Sequence, residues 1–170
     1  MQEITPIAIA VLTVSDTRTL ATDKSGQYLQ DSIEEFGHRI HERHIVPDNI
    51  YNIRAIVSRW IADPDCQAII TTGGTGLTGR DGTPEAITPL LDKEMPGFGE
   101  MFRVLSYEEI RGSTIQSRCV AGVANATFVF ALPGSTGACR TGWENLIMHQ
   151  LDSRNHPCNL VQLIPRLKER

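Results

Sequence analysis

Residues 67–84, QAIITTGGTGLTGRDGTP, place a strand, a glycine-rich loop and a helix start in direct succession. Gln67 to Thr72 are dominated by isoleucine and threonine, β-branched residues that suit a pleated strand. Gly73, Gly74 and Gly76, then Gly79 and Gly82, open a loop that also holds Thr75, Arg80 and Asp81. Thr83-Pro84 reads as a helix start, because a threonine side chain caps free backbone N–H groups and proline fits the first helical position. Strand, loop and helix in that order put backbone N–H groups at the carboxyl end of a sheet, where open α/β folds bind anions.

The loop ends in no Gly-Lys-Ser/Thr, which excludes a Walker A motif, and its glycines lack the GxGxxG spacing of a dinucleotide fingerprint. Two readings stand: a phosphate or carboxylate cradle made by Gly73, Gly74, Thr75 and Gly76, and a flexible connector with no ligand. Asp81 favours the cradle. A carboxylate beside a bound phosphate repels it unless a divalent cation or a proton intervenes, which points to Mg²⁺ coordination or catalysis. The plainer alternative is a solvated turn aspartate.

Working outward, 170 residues at 41% hydrophobic content suit one domain, residues 1–170, with a sizeable core. No apolar run is long enough to span a bilayer, and Glu3 precedes the apolar opening without a basic segment, so the N-terminus reads as a buried strand rather than a signal peptide. With a net charge of -4 and its basic residues scattered, the chain is a poor partner for nucleic acid. Cys66, Cys119, Cys139 and Cys158 form no CxxC pair and have no histidine at ligand spacing, which fits core thiols in a reducing cytoplasm.

Ile7 to Val14 is continuously apolar, as a central strand covered on both faces must be. It runs into Ser15 and Asp16, which fall on the same sheet edge as the glycine loop, as substrate contacts or as ordinary turn residues. A helix is expected over Ser25–Phe36, closed by Gly37, then a strand over His38–Val46 whose histidines are surface residues. Asp48 precedes a helix over Asn49–Ala62 and has two open roles, N-cap of that helix or ligand contact.

Beyond the glycine loop, a helix is expected over Pro84–Leu91. Met95 to Gly99 reads as a break before two short helical pieces, Glu100–Leu105 and Ser106–Ile110, with Ser106 and Glu109 as a capping box. Cys119–Ala124 and Thr127–Leu132 flank Asn125 as a tight hairpin, which gives an otherwise parallel sheet one reversed strand. The second hairpin strand ends in Pro133-Gly134-Ser135-Thr136-Gly137, a further candidate cradle in which Gly134 and Ser135 contact ligand or simply cap the helix expected over Thr136–Gln150. Leu160, Val161, Leu163 and Ile164 are expected against the body or a neighbour.

Taken together, TTGGTGLTGRDGTPEA, MPGFGEMFR, SYEEI with STIQSR, and FALPGSTGACRTGWENLI resemble the MogA/MoaB family of molybdenum cofactor biosynthesis proteins, and the ending ACRTGWENLI with QLDSRNHPCN resembles its MoaB branch. The resemblance implies a three-layer α/β/α sandwich with a mostly parallel central sheet carrying one antiparallel strand. It implies a cytoplasmic homo-oligomer, a trimer or a hexamer built of two trimers. The activity it implies is transfer of the adenylyl group of Mg-ATP to the terminal phosphate of molybdopterin, with release of pyrophosphate. Carried onto this chain, it makes Asp81 and Asp48 the essential aspartates and candidate Mg²⁺ ligands. Gly73 to Gly76 with Arg80, Gly134 with Ser135, and Ser15 with Asp16 become the ligand-holding segments. A rival of another class is a molybdopterin-binding oligomer without turnover, because MoaB-like chains include members that are inactive.

Overall fold

The computed structural model describes residues 3–169. Its strands are β1 (Ala8–Val14), β2 (Arg39–Val46), β3 (Ala68–Thr72), β4 (Lys93–Glu94), β5 (Val120–Ala124) and β6 (Thr127–Leu132). They form one sheet in the order β2-β1-β3-β6-β5-β4. The pairs β1/β2, β1/β3 and β3/β6 are parallel, whereas β5 is antiparallel to both β6 and β4, so β5 is the one reversed strand.

Alternation along each central strand feeds two cores. Ile9, Val11, Ala68, Ile70, Phe128 and Phe130 point to one face, where α1 (Lys24–Phe36), α4 (Pro96–Ile110) and α5 (Thr136–Gly142) pack through Leu29, Ile33, Phe102 and Cys139. Ala10, Leu12, Ile69, Val129 and Ala131 point to the other, against α2 (Ile50–Ala62) and α3 (Thr83–Ile87) through Ile53, Val57, Trp60 and Ile87. The result is the three-layer α/β/α sandwich expected from the sequence. The hairpin turns at Asn125 and Ala126, with φ 45° and 67°, the left-handed pair of a tight two-residue connection.

Several local expectations are corrected. Pro96 starts a helix instead of breaking one: α4 is continuous from Pro96, the proline fits the first turn, and Ser106 is buried within it while Glu109 accepts from the Thr141 hydroxyl at 2.6 Å rather than closing a capping box. Thr83 is not a cap, since its hydroxyl reaches back to the Gly73 carbonyl at 2.8 Å. His38 is buried; its Nδ1 accepts from the Ile7 N–H at 3.3 Å, and burial depresses its pKa. The long helix after Ser135 is α5, a π-helical run over Trp143–Ile147, and α6 (Met148–Leu151). Leu160 and Val161 are buried as expected, but Leu163 is exposed. Among the described residues no helix is long and apolar enough to cross a membrane.

Candidate functional site

From β1 the chain crosses over one face of the sheet to reach β2, and from β3 it leaves in the other direction, so the crevice at the carboxyl ends of β1 and β3 is the switch point of the topology. A cleft of about 400 Å³ lies there. Its walls include Ser15, Asp48, Gly73, Gly74, Asp81, Gly134 and Ser135, together with Arg18 and Lys24. Part of each segment that the sequence singled out therefore reaches one hollow, whereas Asp16, Thr75, Gly76 and Arg80 do not line it.

The glycine loop is built by its backbone. Gly73 and Gly74 have φ of 103° and 64°, which side-chain-bearing residues rarely adopt, and a Cβ on Gly73 would lie 2.2 Å from the Val14 carbonyl oxygen. Gly73 N–H donates to the Leu132 carbonyl at 3.0 Å, and Thr83 N–H donates to the Gly74 carbonyl at 2.9 Å. Thr75 is buried within the loop, while Arg80 swings out and pairs with Asp16 at 3.0 Å.

The two aspartates are held differently. Asp81 accepts from the Thr78 N–H at 2.9 Å and from the Thr78 hydroxyl, and these bonds keep its carboxyl below the usual range. Asp48 sits half-buried; burial raises its pKa, and the nearby Asp81 and Asp16 charges add to the rise. The structure excludes one of the two roles left open for Asp48, that of the cap. Asn49 is the cap of α2, accepting from Tyr51 and Asn52 N–H groups, while Asp48 accepts from the Gly82 N–H at 3.3 Å and faces the cleft. Its own N–H donates to Asp16 at 3.1 Å.

The turn after β6 supplies the other wall. Ser135 caps α5 by accepting from the Ala138 N–H at 3.1 Å. The Gly134 carbonyl accepts from the Ser25 hydroxyl at 2.8 Å, which ties the turn to the start of α1. Beneath that helix start Asp23 is buried; it caps α1 through Gly26 N–H, accepts from the Thr13 hydroxyl at 2.7 Å and pairs with Arg43 at 3.0 Å.

Sequence reading passed over Asp23, Ser25 and Arg118. Asp23 had a detectable signal, a cap-type residue just before the expected helix. Arg118 had none, because what it grips is mostly loop backbone: the carbonyls of Thr75, Gly76 and Asp81, besides the Glu85 carboxylate.

Chemically the cleft offers N–H groups from two glycine turns, basic side chains at Arg18 and Lys24, and carboxylates at Asp48 and Asp81. That combination suits a phosphorylated ligand accompanied by a cation. Among the described residues no group of three or more histidine, cysteine, aspartate or glutamate side chains gathers as a metal site. Two carboxylates nevertheless fit magnesium at a phosphate site, since that ion is ordinarily held by one or two carboxylates plus substrate phosphates and water. Burial pushes the Cys119 thiol up to about 12 and the Cys139 thiol up to about 11, so neither is a thiolate nucleophile near neutral pH.

Comparison with known proteins agrees with this geometry. Residues 10–153 match the family described as a probable molybdopterin binding domain. The chain is 59% identical to molybdenum cofactor biosynthesis protein B of Escherichia coli K12, over 98% of this chain and 96% of that one. A crystal structure of a molybdenum cofactor biosynthesis protein B superposes with a TM-score of 0.86 at 42% identity, covering 88% of this chain and 94% of the other. The tungsten cofactor synthesizing protein MoaB from Pyrococcus furiosus superposes with a TM-score of 0.74 at 37% identity, covering 82% and 89%.

Proposed function

The chain belongs to the MogA/MoaB family of molybdenum cofactor biosynthesis proteins, closely related to its MoaB members, and on that premise we propose that it binds molybdopterin and transfers the adenylyl group of Mg-ATP to the pterin's terminal phosphate. The observation that carries this reading is the convergence of both glycine turns and both aspartates, Asp48 and Asp81, on one cleft.

In this reaction an oxygen of the molybdopterin phosphate bonds to the α-phosphorus of ATP, the bond from that phosphorus to the bridging oxygen breaks, and pyrophosphate leaves with its electron pair. The attacking phosphate is already ionised near neutral pH, so no serine or cysteine nucleophile is required. What the protein must supply is orientation and charge neutralisation. The Gly74 N–H of the loop and the free N–H groups of the α5 start at Ser135 hold phosphate oxygens, and Ser15 orients the ligand between them. Arg18 and Lys24, which line the cleft, offset negative charge, and Arg80 pairs with Asp16 outside its walls. Asp48 and Asp81 would hold Mg²⁺, which when bound neutralises the triphosphate and stabilises the departing pyrophosphate.

Purified protein incubated with molybdopterin and Mg-ATP, followed by chromatography, tests the proposal. Adenylylated pterin and pyrophosphate are the expected products. Pterin binding without product would replace the transferase reading with that of a binding accessory in the same pathway.

We also propose a homo-oligomer, a trimer or a hexamer of two trimers. Met101, Val104, Tyr107 and Ile110 stand exposed on α4, and Ile115 just beyond it is 81% exposed, an apolar surface that assembly would cover. Sedimentation of the purified protein decides this, and a monomer would refute it.

A further inference from the structure

Because β5 runs against its neighbours, its leading end lies at the carboxyl edge of the parallel strands, and Arg118, just ahead of it, arrives behind the glycine loop. The Arg118 Nε donates to the carbonyls of Thr75 at 3.2 Å and Gly76 at 2.9 Å. Its Nη2 donates to the Gly76 carbonyl and to the Asp81 carbonyl at 3.2 Å, and Nη1 meets the Glu85 carboxylate on α3. The planar five-donor fork is thereby shared between both ends of the loop and the helix that follows it.

The effect of this grip follows from peptide geometry. A trans peptide carries the carbonyl of one residue and the N–H of the next on opposite sides. With the Asp81 carbonyl drawn to Arg118, the Gly82 N–H faces away, and that N–H donates to Asp48. With the Thr75 carbonyl drawn to Arg118, the Gly76 N–H faces away as well, and the Asp81 carboxylate lies beside Gly76, 2.6 Å from where a Cβ would stand. Asp48 is thus met by an amide whose peptide is clamped from behind, and the same guanidinium grips the main chain of Asp81 itself.

We propose that Arg118 is a positioning residue that sets the places of Asp48 and Asp81 in the cleft by fixing the Thr75-Gly76 and Asp81-Gly82 peptides. Its consequence for turnover rests on the adenylyl-transfer reading; the positioning itself is a property of the ligand-free protein. Lysine keeps the charge at this site but has no fork with which to hold two peptides at once.

Arg118→Lys and Arg118→Ala test the inference. Amide hydrogen exchange at Gly82, followed by NMR without ligand, is expected to be about tenfold faster in both variants, because the local opening that exposes this amide becomes easier. With molybdopterin and Mg-ATP, kcat is expected to fall about 100-fold, as a misplaced reacting group does, while KM changes little. Millimolar guanidinium is expected to restore part of the Arg118→Ala rate. Unchanged exchange at Gly82, or an Arg118→Lys protein with wild-type kcat, would overturn the proposal. Should Arg118→Ala not fold, Arg118→Lys carries the test. Wild-type protein that makes no adenylylated pterin would sink the function proposed above, and the exchange result would still decide the positioning.

Discussion

In the turn after β3, Gly73 and Gly74 adopt positive φ, whereas after β6 no residue of Pro133 to Gly137 does so and a serine side chain caps the helix instead. The first turn is shaped by contacts from outside it: Thr83 and Arg118 hold its carbonyls, and Val14 crowds Gly73. The second has a cap of its own in Ser135, besides the Ser25 and Thr72 hydroxyls that brace the Gly134 and Pro133 carbonyls. Both line one cleft, yet only the first depends on glycine for its conformation. The contrast separates two ways of presenting backbone N–H groups, a glycine loop of left-handed φ fixed by its surroundings and an ordinary capped helix start.

Substitutions can break that contrast, beginning where the strain is greatest. Gly73→Ala should cost about 3 kcal/mol or more in stability, because its Cβ meets a backbone oxygen and its φ is left-handed. Thermal and denaturant unfolding measure it, and a loss near zero would mean that the loop relaxes freely. Asp81→Asn should lower turnover about 100-fold, roughly 2.7 kcal/mol at the transition state, while leaving the melting temperature almost unchanged. Wild-type turnover in that variant would remove Asp81 from the chemistry.

Smaller effects belong to the second turn. Ser135→Ala should cost about 1 kcal/mol by loss of the cap, read from the denaturant midpoint. Gly137→Ala should stabilise by about 0.5 kcal/mol, since the added methyl meets nothing within 4 Å and alanine suits a helix better. A destabilised Gly137→Ala protein would show that the second turn needs its glycines too, and the contrast would fail.

Much of the architecture was readable because it is written in local pattern. The continuous apolar runs of β1 and β6 announced buried parallel strands, and Asn125 marked the hairpin that reverses β5. Ser15, Asp48, Asp81 and Gly134 could be gathered on one edge because the loops after parallel strands share it. What stayed hidden depends on contacts distant in sequence. Arg118 lies 42 residues from Gly76 and binds mostly backbone, so no side-chain pattern betrays it. Asp48 and Asn49 are adjacent cap-capable residues, and only the structure shows that the asparagine takes the cap. At α4 the Met95-Pro96-Gly97 sequence was read as punctuation, although proline serves equally as a first helical residue. Short β4 offers only two residues and no periodicity to detect.

One contact fixes a length. A Cβ on Gly134 would come within 3.3 Å of the Gly73 Cα, and Gly73 is hydrogen-bonded to Leu132, so the two turns touch as extensions of adjacent strands β3 and β6. Adjacent strands stand about 4.8 Å apart, a spacing set by backbone geometry and indifferent to sequence. The cleft therefore works as a caliper whose jaws are cut in peptide. On the proposed function, side chains would alter how firmly each jaw grips a phosphate, while the gauge between the jaws is the pitch of the sheet.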